Sequence, residues 1–233
     1  MNWSGGKDSS LSLYKILQND QYRVCTLLTN VSSTHDRISM HGVRRSLLHA
    51  QADAVGIPLQ TIELSDQPSM AVYEQAMQLK VVELKSDGYT TAIFGDIFLE
   101  DLKLYREKKL AAEDMQCVFP LWKMDTREVM EEFLALGFKS VIVCVNEEFL
   151  DQSFCGRVID NSFLKDLPAN VDPCGENGEY HTFVFDGPIF RQPVKFKKGE
   201  LVRKTYPAPA SINKSQNPID RESEYGFVFC DLI

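Results

Sequence analysis

The residues with the clearest chemical potential lie at positions 4–9, which read Ser-Gly-Gly-Lys-Asp-Ser. Two glycines let the backbone approach a ligand and expose successive N–H groups, while hydroxyls add donors and a lysine adds positive charge. Apolar residues recur downstream at helical spacing, so the loop opens a helix and forms an anion site at its N-terminus. The predicted binding residues are Ser4, Gly5, Gly6, Lys7, Asp8, Ser9 and Ser10. For Ser-Gly-Gly alone, the alternative is an ordinary turn with a serine N-cap.

Two aspartates are candidate ligands for Mg²⁺, which prefers carboxylate and phosphate oxygens. Asp8 lies inside the loop, and Asp96 follows Gly95 directly after a strand predicted at 91–94. Ligands of parallel α/β sheets bind outside the carboxyl ends of the strands, so we expect both aspartates at the same sheet edge. Each aspartate has a structural alternative as a helix cap.

A second dense group of polar residues lies at 172–190, where two glycines alternate with two glutamates ahead of a tyrosine and a histidine. Paired carboxylates beside flexible backbone and an imidazole suit proton handling or the recognition of an amine. An acidic turn leading into a strand is the alternative. The candidate substrate-binding residues are Gly175, Glu176, Gly178, Glu179, Tyr180 and His181.

Alternating apolar runs and amphipathic stretches must position these groups. Strands are predicted at 1–3, 24–28, 59–64, 91–94 and 140–145, and helices at 9–18, 42–55, 69–86, 101–113 and 126–136. This alternation predicts an α/β fold with a parallel sheet and right-handed crossovers. The composition changes near residue 146, which predicts a larger domain with the anion-binding loop at 1–146 and a smaller α+β substrate-binding domain at 147–233. The latter is predicted to contain partly helical residues at 151–168, a hairpin of 194–197 with 201–204, and a loop at 207–219.

Bulk composition excludes several classes of protein. The chain has 233 residues, of which 44% are hydrophobic and 25% charged, as in soluble globular proteins. A net charge of −8 argues against a general nucleic-acid or anionic-membrane surface. We expect a cytoplasmic protein without a membrane span or leader. Six cysteines are scattered without a Cys-x2-Cys pair, so no zinc template can be written; Cys174 stays open as a reactive thiol.

The loop at 4–10 resembles the PP-loop of the ATP pyrophosphatase superfamily, whose members cleave ATP between its α and β phosphates. Together with Gly-Asp-Ile at 95–97, Pro-Leu-Trp at 120–122 and the 175–190 motif, it follows the order seen in the diphthine–ammonia ligase family. The similarity covers about residues 1–190, and Gly-Glu-x-Gly-Glu-Tyr at 175–180 is specific to that family. The resemblance implies a Rossmann-like nucleotide α-hydrolase fold followed by a smaller domain.

The family's activity converts the carboxylate of diphthine, a modified histidine on elongation factor 2, into an amide. The resemblance therefore implies ATP, Mg²⁺ and ammonia as reactants, an acyl-adenylate intermediate, and release of AMP and pyrophosphate. It implies Lys7, Asp8, Glu176 and Glu179 as catalytic residues, with Asp8 and Asp96 at the metal and Gly95 and Asp96 added to the nucleotide site. The two glutamates either orient ammonium or deprotonate it. His41 or Arg44 is a further candidate for reaching the nucleotide, with a capped loop of solvated basic residues as the alternative.

The chain also departs from the family pattern. The family usually has Gly-Ala-Ile at 95–97 and a Ser-Asp-Tyr-Gln-Arg-like segment where residues 98–102 read Phe-Leu-Glu-Asp-Leu, and it differs at Asn177 and His181. A different carboxylate acceptor, an ATP-binding module without turnover and a tRNA-modifying PP-loop enzyme are the alternatives. The acidic charge and the lack of a basic RNA-binding appendage weigh against the last. The alternating aromatic residues at 225–229 suit either an edge strand for a homodimer or a final strand packed in its own domain.

Overall fold

The structure is a computed structural model that describes residues 1–38, 41–65, 68–207 and 224–233. Its helices are α1 (Lys7–Leu17), α2 (Arg45–Val55), α3 (Met70–Ser86), α4 (Glu100–Ala111), α5 (Thr126–Ala135) and α6 (Asn161–Asp166), with a 3-10 turn at Gln152–Phe154. Its strands are β1 (Leu27–Ser32), β2 (Arg37–Ile38), β3 (Leu59–Leu64), β4 (Thr91–Ile93), β5 (Gln116–Val118), β6 (Lys139–Asn146), β7 (Tyr180–Asp186), β8 (Lys198–Pro207) and β9 (Glu224–Leu232). None of the helices described is long and apolar enough to cross a bilayer.

The N-terminal part contains parallel strands, as the sequence predicts. β1 pairs in parallel with β3, and β4 pairs in parallel with β5. Residues 1–3 lie between these pairs: Asn2 bridges to Leu28 of β1, and its N–H donates to the carbonyl oxygen of Ile93 at 2.9 Å. The strand order across the sheet is therefore β3, β1, residues 1–3, β4 and β5.

The alternating side chains of β1 separate two apolar layers. Leu27 and Val31 belong to the main core, which also contains residues of α1, α2 and α5, whereas Leu28 packs with Leu84 of α3. Since successive strand residues point to opposite faces, α1 and α2 cover one face and α3 covers the other. The main core continues into β6, β7 and β9, so the two parts of the chain share buried side chains.

The strand predicted at 140–145 exists, but its assignment to the parallel sheet was wrong. β6 pairs antiparallel with β7 and with β9, in a four-stranded sheet of order β7-β6-β9-β8. The five consecutive apolar residues at 141–145 would look the same in either sheet. The last strand of the parallel sheet is β5 instead of β6. β5 has only three residues, too few to form an apolar run that would have predicted a strand. The domain border at residue 146 stays a prediction.

Two further strand predictions changed. The predicted hairpin of 194–197 with 201–204 was wrong, because β8 pairs with β9 along its length instead. The aromatic tail is the central strand β9, with β6 and β8 as neighbours, so it is packed in its own sheet. β1 begins at Leu27, later than the predicted 24–28, because Cys25 is exposed and the buried residues begin at Thr26. Much of the predicted 207–219 loop lies outside the described residues.

Candidate active site

The glycine-rich loop leads directly into α1 without a side-chain cap. Gly6 occupies the N-cap position, and Gly5 has φ +74°, a left-handed conformation that favours glycine. The hydroxyl of Ser4 accepts from the Gly6 N–H at 3.2 Å, and Ser9 Oγ donates to the Gly6 carbonyl at 2.9 Å. In the described part of the chain, the N–H groups of Asp8 and Ser9 have no backbone acceptor, which leaves them available to an anion.

Strand β7 holds this loop from the C-terminal part of the chain. The Lys7 N–H donates to Thr182 Oγ1 at 3.0 Å, and the Val184 N–H donates to the Gly5 carbonyl at 2.9 Å. A Cβ added at Gly6 would lie 3.2 Å from the Thr182 carbonyl oxygen, so the two backbones are in close contact. Because β7 begins at Tyr180, the 175–181 motif is thereby fixed beside the loop.

Gln51 of α2 ties the same parts together, and the sequence interpretation missed it. Its fully buried amide donates to the carbonyl of Gly5 at 2.9 Å and to that of Val184 at 2.6 Å. Its Oε1 accepts from Trp3 Nε1 at 3.2 Å. The signal was present, since Gln51 falls at helical spacing from Leu47 on the otherwise apolar buried face of α2.

Lys7 provides a buried positive charge beside the loop. Its side chain is 3% exposed, and its Nζ lies 2.7 Å from Asp8 Oδ1 and 5.7 Å from the centroid of the Tyr180 ring. Burial on its own lowers the pKa of Lys7, but nearby negative groups, Asp8 foremost, outweigh it and raise the pKa above its ordinary value. Lys7 is therefore a permanent cation.

Two more acidic groups lie close to Asp8. Asp96 has a buried Oδ2 without a hydrogen-bond partner, 3.3 Å from Arg106 Nε. Burial raises the pKa of Asp96, against the opposing effect of Arg106. Burial also raises the pKa of Glu176 to about 7, with a further contribution from the charge of Asp8 and a smaller one from Asp96. Neither aspartate is the N-cap of its helix, because Gly6 and Leu99 occupy those positions.

Gly95 packs against the start of α1. A Cβ added there would lie 3.0 Å from the carbonyl carbon of Asp8 and 3.1 Å from the nitrogen of Ser9. These are backbone atoms that a side chain cannot displace without moving the loop. The absence of a side chain at Gly95 therefore sets the position of the first turn of α1 relative to β4.

Three sequence motifs converge at this place. The backbone N–H of Ile97 donates to the Glu176 carboxylate, which opposes the rise in its pKa. The Ile97 carbonyl accepts from the N–H of Lys123 at 2.7 Å, next to Leu121, which is fully buried. Residues 95–97, 120–122 and 175–180 are therefore neighbours, although they are far apart in the sequence.

The two glutamates of the motif occupy different environments. Glu179 is 1% exposed, and its carboxylate accepts from the N–H of Asp172 at 3.0 Å, the N–H of Asn177 at 2.8 Å and Asn177 Nδ2 at 3.0 Å. It therefore holds its own loop, in which Gly175 and Gly178 have φ values of +70° and +83°. Glu176 alone is placed where the charges of Lys7 and Asp8 act on it.

Aromatic side chains close the other side of the loop. The rings of His41 and His181 lie 4.6 Å apart, and His41 Nδ1 is 3.3 Å from the Thr182 carbonyl oxygen. Burial lowers the pKa of His41 to about 4 and that of His181 to about 3, so both rings are neutral at pH 7. The Tyr180 hydroxyl donates to the Pro173 carbonyl, which fixes its ring beside Lys7.

Two residues considered from the sequence are engaged elsewhere. Arg44 Nη2 pairs with Asp231 Oδ2 at 2.6 Å, away from the loop. Cys174 is buried and its thiol donates to the Thr126 carbonyl at 3.2 Å. Burial raises the pKa of Cys174 far above its ordinary value, so it is a neutral thiol rather than a reactive thiolate.

A metal ion would need ligands from outside the protein. Among the described residues, no three His, Cys, Asp or Glu side chains are arranged to hold a metal ion. Asp96 Oδ2, which has the Arg106 ion pair but no hydrogen bond, and the nearby carboxylate of Asp8 nevertheless match Mg²⁺, which commonly uses one or two carboxylates together with phosphate oxygens. The residues therefore fit Mg²⁺ delivered with a nucleotide.

Comparison with known proteins identifies the family of this chain. Residues 1–112 match the family model of the diphthamide synthase N-terminal domain, and residues 125–216 match that of the C-terminal domain. Two proteins named diphthine--ammonia ligase are similar along most of their length. That of Bos taurus is 23% identical over 232 residues, covering 90% of this chain and 86% of the relative. That of Homo sapiens is 23% identical over 222 residues, covering 85% and 82%. The chain belongs to the diphthamide synthase family.

Proposed function

We propose that this protein is an ATP-dependent amide ligase that activates a carboxylate as an acyl-adenylate and transfers ammonia to it. Diphthine on elongation factor 2 is the proposed acceptor, as the names of the relatives suggest. Two phosphates would leave as pyrophosphate when the acceptor carboxylate attacks the α-phosphate of ATP. Ammonia would then displace AMP from the acyl carbon, forming the amide.

One observation carries this proposal. Strand β7 joins the 175–181 motif to the phosphate-binding loop through the Lys7–Thr182 and Gly5–Val184 hydrogen bonds, at 3.0 and 2.9 Å. The anion site and the acidic group that suits an amine are therefore parts of one packed unit. An ATP-binding module without turnover would not need Glu176 beside Lys7.

The strand order also supports a nucleotide-binding fold. The order β3, β1, residues 1–3, β4, β5 places the loop after a central strand and Gly95 after its neighbour. In such sheets ligands bind where the strand order changes direction. We propose on this basis that the sheet is the Rossmann-like arrangement of nucleotide α-hydrolases.

The loop would bind and neutralise the phosphates. The free N–H groups of Asp8 and Ser9 and the Lys7 ammonium are fixed before the reaction, so they cost little reorganisation when negative charge develops on pyrophosphate. Mg²⁺ would be held by Asp8 and Asp96 and would supply further charge neutralisation.

Glu176 would take the proton of ammonium, and Glu179 would position the loop. A carboxylate with a pKa of about 7 is half ionised at neutral pH, which suits a general base. The Glu179 carboxylate already accepts hydrogen bonds from three donors of its own loop, so it is not available to act as a base. The neutral His41 and His181 would pack beside the reactants without adding charge.

A reconstitution tests the proposal. Purified protein, Mg-ATP and ammonium would be mixed with elongation factor 2 carrying diphthine, and AMP and the mass of the acceptor followed together. We expect acceptor-dependent AMP and conversion of acid to amide, lost with Lys7→Ala and retained with the surface variant Lys139→Ala. ATP binding without AMP would contradict diphthine as the acceptor and direct the search to another carboxylate, and acceptor-dependent AMP without amidation would contradict the transfer of ammonia.

A further inference from the structure

Strand β8 forms an open edge of the four-stranded sheet β7-β6-β9-β8. The opposite edge strand, β7, is covered by the glycine-rich loop, since the Val184 N–H donates to the Gly5 carbonyl. Within the described ranges, β8 pairs with β9 and has no backbone partner on its other side. An open edge carries a row of unpaired N–H and C=O groups, to which another extended chain can pair.

β8 is also accessible on both faces of the sheet. Residues 200–205 are all exposed, including the apolar side chains of Leu201 at 49% and Val202 at 41%. The neighbouring β9 has no exposed residue between Tyr225 and Leu232. Because successive strand residues point to opposite faces, Leu201 and Val202 present apolar surface on the two sides of the edge. A strand added beside β8 would cover both.

The charge of this edge is opposite to that of the whole protein. Residues 195–204 contain five basic side chains and one acidic side chain, whereas the chain has a net charge of −8. The basic residues are Lys195, Lys197, Lys198, Arg203 and Lys204. Arg203 pairs with Glu147 at 2.8 Å, but among the residues that the structure describes the four lysines have no ion pair. They are therefore available to carboxylates of another chain.

This charge discriminates between a second copy of the protein and an acidic partner. Lysines on an exposed edge oppose pairing with a chain of like charge, and two copies of β8 would bring their basic segments together. The same side chains attract carboxylates, since opposite charges on neighbouring strands stabilise a pair. Basic residues lie on either side of Leu201 and Val202, so the matching segment has an apolar centre between acidic ends.

We propose that β8 is a docking edge for an extended acidic segment of another protein, which adds to the β7-β6-β9-β8 sheet as a further strand. Main-chain hydrogen bonds along β8 hold the segment. Its apolar centre packs on Leu201 and Val202, and its carboxylates pair with Lys198 and Lys204. The proposal does not depend on the ligase activity, so either can fail without the other.

The test uses the fluorescein-labelled peptide Glu-Glu-Val-Val-Thr-Thr-Glu-Glu, and as its control the peptide with lysine in place of each glutamate. Fluorescence anisotropy should show saturable binding of the acidic peptide that weakens as salt is raised. The basic peptide should bind at least about tenfold more weakly. Two further acidic peptides carry methyl groups on alternate backbone nitrogens. Only one of them should lose binding, because a single edge of the peptide faces β8.

Charge reversal on the protein makes the test specific to this edge. Lys198→Glu combined with Lys204→Glu should weaken binding of the acidic peptide at least about tenfold. The control combines Lys108→Glu with Lys165→Glu, which changes the net charge equally at exposed lysines of other elements; its affinity should stay within about twofold of wild type. Hydrogen exchange should show that bound peptide protects alternate amides of β8.

Several outcomes would overturn the proposal. They are no saturable binding of the acidic peptide, equal binding of the acidic and basic peptides, equal losses in the two double variants, and no added protection of β8. A dimer whose formation protects β8 would assign the edge to a second copy instead. Binding that appears only after residues 209–222 are replaced by a Gly-Ser linker would assign the edge to that segment of the chain. Either assignment would refute docking of another protein.

Discussion

Substituting Gln51 by methionine should destabilise the protein strongly, although the two side chains have nearly the same volume. The wild-type amide is fully buried and bonds to Trp3, Gly5 and Val184. Methionine keeps the packing and removes every one of these hydrogen bonds. The substitution therefore separates the contribution of these hydrogen bonds to the glycine-rich loop from that of the apolar packing of α2.

The expected magnitude follows from the groups left without partners. The Gly5 carbonyl keeps its hydrogen bond from the Val184 N–H, so it still has a partner in the variant. Trp3 Nε1–H loses its acceptor and the Val184 carbonyl loses this donor, both in the interior. A buried polar group left unsatisfied costs about 1–3 kcal/mol, and no large cavity is created. The free energy of unfolding should fall by roughly 3 kcal/mol, at about 1.5 kcal/mol for each of the two groups.

Urea and thermal unfolding measure this change. For a chain of this size, such a loss lowers the melting temperature by about 6–12 °C. Gln78→Met is the matched control, since Gln78 is exposed and makes a single 3.4 Å contact with Glu113; it should change stability by less than about 0.5 kcal/mol. A Gln51→Met protein within 0.5 kcal/mol of wild type would refute the reasoning, because the clamp would then contribute nothing net.

Three further changes test the site and its support. Glu176→Gln should lower the amidation rate by about 10²–10⁴-fold. The wild-type rate should rise as pH increases through about 7, because the Glu176 carboxylate ionises there, and the variant should lose this rise. An unchanged pH–rate profile would exclude Glu176 as the base. Gly95→Ala should weaken ATP binding about tenfold in calorimetry, because its Cβ would displace the backbone of Asp8. Asp231→Asn should cost about 1 kcal/mol at pH 7. The Arg44 and Arg37 hydrogen bonds lower the Asp231 pKa from 3.8 to about 2, so this difference should vanish as pH falls through that range, as followed by urea unfolding.

The sequence predicts the helices well because their signals are local. α3 begins after Ser69, whose hydroxyl caps the Val72 N–H, and α2 ends at Gly56 in a left-handed conformation. The phosphate-binding loop is equally local, since its glycines, hydroxyls and lysine are consecutive. These features depend on residues within one or two turns of each other, which a linear pattern contains.

The sheets are harder to predict from the sequence because strand pairing depends on residues that are far apart in the chain. The buried run of β6 suits a parallel or an antiparallel partner equally, and only the positions of β7 and β9 decide. β5 has no pattern of its own and is a strand because it lies beside β4. The different environments of Glu176 and Glu179 have the same origin, since the sequence shows two similar glutamates and the fold of their loop separates them.

Taken together, the charges at the site require a further cation, which neither the 4–10 loop nor the 175–181 motif indicates alone. The negative charge of Asp8 contributes to the raised pKa values of Asp96 and Glu176, and Lys7 and Arg106 are the cations that oppose these negative charges. A nucleotide triphosphate adds several negative charges to this nearly balanced group, and like charges a few ångströms apart in a partly buried site repel by several kcal/mol. Asp96 Oδ2 has no hydrogen bond and only the 3.3 Å ion pair with Arg106, so we propose that it binds Mg²⁺ when the ion arrives with ATP. ATP affinity should accordingly depend on Mg²⁺ in the wild type and lose most of that dependence in Asp96→Asn, whereas Asp186→Asn, a surface control, should keep it.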